Sequence, residues 1–228
     1  FHGFTNNPEQ FERIGEAYHA AGYNVLIPRL PEHGKSEIET RDLTKISPER
    51  LIEAADEAID IGAGLGEEVE VVGLSGGGTL ATWAAYERDE VERAVIISPL
   101  FGVDLLPEWL VRPIVAWSRV LPDVFLWWDW EKRGKDHVPP DAYPGYSLSS
   151  IASFFMVGYD VMERDPQREG SLERVVLITN GADRSVDEGV AKEVFDEELV
   201  PFAEEVQRYE YPESLGYSHD LIDPEGTN

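Results

Sequence analysis

Apolar positions along this chain switch repeatedly between a period near 3.6 and a short β-branched run, and that switching predicts the elements. Residues 8–21 place Phe11, Ile14, Ala17 and Tyr18 on one helical face, with Pro8 in the first turn and Gly22 as the stop. Residues 23–27, Tyr-Asn-Val-Leu-Ile, read as a short strand, and 28–36 as a loop. Residues 48–63 form a second helical pattern, with Ser47 as N-cap and Leu51, Ile52, Ala55, Ala58 and Ile59 facing inward. An apolar strand pattern over 69–74 is followed by a helical one over 79–87, and 93–99 read as the next strand. Helix and strand alternate three times. That order predicts a mostly parallel central sheet with helices on both faces, its connections set by the right-handed crossover rule.

The pattern changes after the third visible strand. Residues 101–165 hold no βα repeat but carry five of the six tryptophans, Trp109, Trp117, Trp127, Trp128 and Trp130. Residues 105–121 and 148–163 read as helices, with Pro139-Pro140 and Pro144-Gly145 punctuating between them. The stretch is expected to be an inserted helical cap, either an aromatic lid over an acyl pocket or a small satellite core. Alternation then resumes with a strand at 174–179, a loop at 180–186, a helix over 187–202 interrupted by Pro201, a strand at 206–211 and a loop at 215–220. The expected organisation is a core in two parts, 1–100 and 166–228, with the cap at 101–165 between them.

Composition narrows the function classes. No run of apolar residues is long enough to cross a membrane as a helix. The absence of cysteine excludes disulfides, thiolate metal sites and a cysteine nucleophile. Lys and Arg number 19 against 45 Asp and Glu, a formal charge of −26, and only 5 of the 19 are lysine. The acids are spread along the chain rather than gathered in a tail. A surface so acidic is self-repelling in dilute buffer and relieved by screening, which leads us to expect a high-salt organism. Nucleic acid and anionic membranes are unfavourable partners. No signal-peptide pattern is visible, and a cytoplasmic location is the expectation.

The candidate chemistry centres on Val69–Leu80. Gly73-Leu74-Ser75-Gly76-Gly77 fits G-x-S-x-G, a tight strand-to-helix turn that lifts a serine hydroxyl out of a sheet. A side chain at 73 or 77 would collide with neighbouring backbone. A phosphate-binding turn would need G-x-G-x-x-G or a terminal Gly-Lys-Ser/Thr, and neither is present. Nucleophilic serine needs a base and an orienting acid. The histidines are His2, His19, His33, His137 and His219. His219 follows the last expected strand, and Asp183 lies just past the end of the preceding one. The acid could also be Asp187 or Glu188, which read equally as helix N-terminal residues. The order Ser75, Asp183, His219 is that of the α/β-hydrolase triad. An oxyanion hole needs two N–H groups, expected from Gly76 and from Phe4 in the first loop.

With those residues placed, the chain resembles the α/β-hydrolase superfamily over nearly its whole length, and within it the monoacylglycerol lipase and carboxylesterase group. The resemblance rests on His2-Gly3-Phe4-Thr5, Pro28-Arg29-Leu30-Pro31-Glu32-His33-Gly34, Gly73–Gly78, Asp183 with Val186, and Ser218-His219. It implies the α/β-hydrolase fold, a Ser75–His219–Asp183 triad, an acyl-enzyme intermediate, no cofactor or metal, and a small ester substrate with an apolar acyl group. The same triad also serves thioester, amide and C–C cleavage, and a non-catalytic hydrolase-fold binding protein is the competing class. The family has a central strand before the His-Gly loop and a helix after the histidine. Neither is in this sequence, so we expect either a longer chain or a strand supplied by a partner. Glu32 replaces a glycine common before the second His-Gly and is read as neutral. The charge makes a direct prediction: activity of the folded protein rises from low to multimolar salt. An optimum at low salt would remove the halophilic reading.

Overall fold

The computed structural model describes residues 1–35, 41–118, 120, 122–128, 142–166 and 168–223. Six α-helices and six strands lie within them. Helix α1 (Glu12–Ala20) follows a 3₁₀ turn at Pro8–Phe11, and α2 spans Pro48–Leu65. Strand β1 (Val69–Leu74), helix α3 (Gly76–Glu87) and strand β2 (Val91–Ile97) follow directly. The cap contributes α4 (Glu108–Ser118), β3 (Phe125–Trp127), β4 (Gly145–Ser147) and α5 (Leu148–Glu163). The core closes with β5 (Leu172–Asn180), α6 (Glu188–Val194) and β6 (Ala203–Tyr211). The main sheet runs β1-β2-β5-β6, every pairing parallel.

Period-two alternation divides the sheet cleanly between two cores. Val71, Ala94, Ile96, Val175 and Leu177 face the side of α2 and α3. Val72, Leu74, Val95, Ile97 and Ile178 face the other way, toward Phe11, Ile14 and Ile27, with Leu221 and Ile222 closing that side. The expected two-sided sheet is therefore present. Helix α3 is buried at every residue from Gly76 to Tyr86, because the sheet lies on one side of it and α5 on the other. The expected Ser47 cap forms, its Oγ accepting from Arg50 N–H at 3.3 Å. Among the described residues no helix is long and apolar enough to cross a membrane.

Four expectations change. The run at 23–27 carries no ladder hydrogen bonds, because a cavity of about 170 Å³ separates it from β1; Phe1, Ile14, Val25, Ile27, Val69 and Val71 are among its lining residues. The helix expected over 187–202 is α-helical only to Val194, then widens into a π turn at Phe195–Leu199 and tightens into a 3₁₀ turn at Val200–Phe202. Pro201 explains this: it has no N–H and its ring would strike the carbonyl four residues back in a regular helix. The cap is not purely helical, since β3 and β4 pair antiparallel. Gly145 permits that approach, as a Cβ there would stand 2.5 Å from Leu126 O. Glu32 is not neutral to the backbone, which is left-handed there at φ 64°. Its carboxylate is held by Lys35 and Arg50, contacts that a glycine would not make.

The first loop is locked to the loop at 28–34 by two reciprocal hydrogen bonds. Leu30 N–H donates to His2 Nε2 at 3.1 Å, and Thr5 N–H donates to His33 Nε2 at 3.2 Å. The Nδ1 atoms of His2 and His33 face the carbonyls of Gly3 and Pro31 at 2.9 and 2.8 Å, so each ring is neutral with its proton on Nδ1. Both rings are fully buried. Burial pushes His33 down to about 4, and burial followed by the neighbouring His33 pushes His2 down as well. A ring with a depressed pKa stabilises the fold fully above its unfolded value of 6.5 and loses that stabilisation as pH falls toward 4. For His33 the full loss is on the order of 3 kcal/mol. Unfolding free energy should fall steeply below about pH 6.5, and His33→Gln, which retains an acceptor, should flatten that slope. Denaturant titrations across this range check it; an unchanged slope in His33→Gln would sink the assignment.

Candidate active site

Ser75 sits between β1 and α3 at φ 56°, ψ −120°, a conformation that side-chain-bearing residues rarely adopt. The glycines around it leave no room for substitution. A Cβ at Gly73 would stand 2.0 Å from Gly77 O, and one at Gly77 would stand 2.2 Å from Phe1 O and 2.5 Å from His2 O. The elbow thus brings β1, the first turn of α3 and the Phe1–His2 backbone into direct contact. Ser75 N–H donates to Ile97 O at 2.9 Å and Ser75 O accepts from Leu100 N–H at 3.1 Å, fixing the turn to the end of β2.

Asp183 follows β5 and His219 follows β6, at the same carboxyl edge of the sheet as Ser75. The structure brings these two together: His219 Nδ1 and Asp183 Oδ2 are 2.6 Å apart. Burial alone would push the Asp183 carboxyl up. The His219 bond and the N–H groups of Ser185 and Val186 outweigh it and hold the group below its ordinary value. Asp183 therefore stays an anion facing the imidazole. Among the described residues no hydrogen bond joins His219 to Ser75 Oγ, a contact that often tightens only once substrate is bound. The other candidate acids are occupied. Asp187 Oδ1 caps α6 through Gly189 and Val190 N–H, and Glu188 accepts from Asn180 N–H.

The other histidines separate as clearly. His2 and His33 are spent on the loop lock, His19 lies exposed on α1, and His137 falls outside the described residues. The Phe4 and Gly76 N–H groups make no hydrogen bond among the described residues. Beside them stand aromatic rings. Phe4 meets Phe154, Tyr146 and Trp128 at centroid distances of 5.1, 5.6 and 6.3 Å. Phe154 also closes over Gly76, where a Cβ would lie 2.9 Å from its ring. Trp128 Nε1–H donates to Thr5 Oγ1 at 2.9 Å, and Tyr143 N–H donates to Thr5 O at 2.8 Å, so the cap holds the first loop from above. The cap aromatics therefore divide: Trp128 joins this wall, whereas Trp109 and Trp117 are 71% and 59% exposed and form no satellite core.

Sequence reasoning missed Asn180. It is fully buried, and its Nδ2 donates to Tyr217 O at 3.0 Å and Ser218 O at 2.8 Å while its Oδ1 accepts from Ala182 N–H at 3.1 Å. One amide thus spaces the acid loop against the histidine loop. Its sequence signal, Asn before Gly at a strand end, reads only as a turn.

A model of the alpha/beta hydrolase family matches residues 1–215. A curated relative, the thermostable monoacylglycerol lipase of Bacillus sp. (strain H-257), is 31% identical over 90 residues, which cover 40% of this chain and 35% of that one. The matched part is about a third of that lipase's length. Among solved structures, one from LipS and LipT, two metagenome-derived lipolytic enzymes, superposes with a TM-score of 0.74 at 20% identity, covering 98% of this chain and 85% of the other. The monoacylglycerol lipase of Paleococcus ferrophilus gives 0.67 at 20% identity, covering 98% and 86%. A soluble variant of the Saccharomyces cerevisiae monoglyceride lipase gives 0.66 at 13%, covering 92% and 75%. These likenesses carry the fold, and the match over residues 1–215 carries the family: the chain belongs to the alpha/beta hydrolase family.

Proposed function

We propose that this protein is a serine carboxylesterase of monoacylglycerol-lipase type. The observation that carries the reading is the strained Ser75 elbow at the same sheet edge as the hydrogen-bonded His219–Asp183 pair. In this reading Ser75 Oγ attacks the ester carbonyl and His219 Nε2 takes its proton. The tetrahedral oxyanion is stabilised by the N–H groups of Phe4 and Gly76. Collapse expels the alcohol, protonated by His219, and leaves an acyl enzyme. Water, activated by the same imidazole, releases the acid. Asp183 orients the ring and stabilises the imidazolium without itself taking a proton. No metal or cofactor enters this sequence of steps.

The substrate class follows from the wall beside the nucleophile. Phe154 packs over Gly76, with Phe4, Tyr146 and Trp128 around it, so the surroundings of the nucleophile are apolar, which favours an apolar acyl group. The names of the lipolytic relatives agree with this choice of bond. We also retain the high-salt source as part of the proposal, on the charge of −26.

A p-nitrophenyl ester series from acetate to palmitate, run beside Ser75→Ala and at low and multimolar salt, tests the assignment. Activity should appear and fall by about 10⁴-fold or more in Ser75→Ala. A fluorophosphonate should label Ser75 covalently. Folded protein that hydrolyses no ester and takes no label would leave the binding-protein reading in its place; label without ester turnover would move the triad to thioesters or amides.

A further inference from the structure

The loop carrying His219 is joined to the loop carrying Phe4 by a hydrogen-bond chain that lies outside the triad. Gly3 N–H donates to Gln10 Oε1 at 2.7 Å. The other end of the same amide, Gln10 Nε2, donates to Asp220 Oδ2 at 2.6 Å. Asp220 is the residue after His219. Its second oxygen accepts from Ile222 and Asp223 N–H at 3.3 and 3.2 Å, which closes the turn behind the histidine. Asn6 Nδ2 adds a longer contact to Oδ2 at 3.4 Å.

The polarity of this chain admits one arrangement. Gln10 is 4% exposed, so its amide must satisfy itself within the protein. Its oxygen faces a donor and its nitrogen faces a carboxylate. Turning the amide over would set donor against donor at Gly3 and acceptor against acceptor at Asp220. Gly3 immediately precedes the Phe4 N–H, and Asp220 immediately follows the imidazole. Two planar groups therefore span from one catalytic element to the other.

We propose that Gln10 and Asp220 are positioning residues for the reaction, holding the Phe4 oxyanion donor at a fixed spacing from the His219 base. The inference rests on the serine-esterase reading above and adds to it two residues that touch neither substrate nor reacting atoms. A donor displaced by a fraction of an ångström loses stabilisation of the tetrahedral oxyanion, which exists only along the reaction path. Ground-state binding, supplied by the aromatic wall, is unaffected. The signature is therefore a fall in kcat with KM retained.

A polarity swap provides the test. Gln10→Glu keeps an acceptor for Gly3 N–H but sets a carboxylate against Asp220, and should lower kcat by about tenfold to a hundredfold with KM within about threefold. Asp220→Asn alone removes one of the two acceptor oxygens and should also lower kcat. Combined, Gln10→Glu and Asp220→Asn recreate the chain with the direction of its second link reversed. The introduced carboxylate accepts from Gly3 N–H and from the introduced amide, whose oxygen still serves Ile222 and Asp223. The double variant should recover most of the lost kcat, a strongly non-additive result. Hydrogen exchange at the Gly3 amide reads the same link without catalysis: protection should fall in Gln10→Glu and return in the double variant. Single variants with native kcat, or a folded double variant no better than the worse single one, overturn the proposal. If the wild type hydrolyses no ester, the function reading fails, and Gly3 exchange still decides whether the link exists.

Discussion

The architecture of the site depends on one close approach. At the elbow the carbonyls of Phe1 and His2 press against Gly77 so tightly that no side chain fits between them, and Gly77 O does the same to Gly73. The absence of a side chain at Gly77 lets the first loop come this near the nucleophile, and Leu74 N–H donating to Phe1 O at 3.2 Å holds it there. Phe4 is three residues along from Phe1, so its N–H is carried toward the turn, and side chains of the surrounding loops fix its spacing. The strained conformation of Ser75 is then maintained by what surrounds it, through Ile97 O below and Leu100 N–H behind. The strained serine is thus held by two backbone hydrogen bonds to the segment that ends β2.

Around this point loops are tied to loops as well as to strands. The first loop is bound to 28–34 by the two buried histidines, to the cap by Trp128 and Tyr143, and to the histidine loop through Gln10. The acid loop is bound to the histidine loop by Asn180. Apart from the Tyr143 N–H bond, each tie is a single planar side chain reaching a backbone group or another side chain. Such ties are short and directional, and each buried one costs free energy if left unpaired. Rigid placement follows, even though few of the candidate catalytic groups lie within a regular element.

Much of the fold was legible because it is written in periodicity. The β1–α3 unit, α2 and its serine cap, α5 and the parallel strands all follow from apolar spacing and small-residue turns. What was not legible depended on contacts distant in sequence. The β3–β4 pair has only three residues a side and contains the Pro144-Gly145 boundary, which locally reads as a turn. The run at 23–27 has the composition of a strand, but a ladder requires a neighbouring backbone, and here a cavity intervenes. Gln10 and Asn180 are polar residues whose roles lie in their burial, and burial of a lone amide leaves no periodic trace. The triad candidates were legible for the opposite reason: Ser75 is framed by glycines that have no other purpose, and Asp183 and His219 fall just beyond strand ends.

The histidines show how little residue type alone determines. His2, His33 and His219 all follow or precede turns near the same sheet edge, and each is a chemically competent base. What separates them is the partner on each ring nitrogen. His2 and His33 present Nε2 to a backbone N–H, so their basic lone pair is already used, and burial keeps them neutral, outweighing the Glu32 carboxylate that acts on His33. His219 presents Nδ1 to Asp183, which leaves Nε2 without a hydrogen-bond partner among the described residues. A base for the serine must have both features at once, a free lone pair and a nearby anion. Among the described histidines His219 has both, and the two buried rings instead build the loop against which the oxyanion would be held.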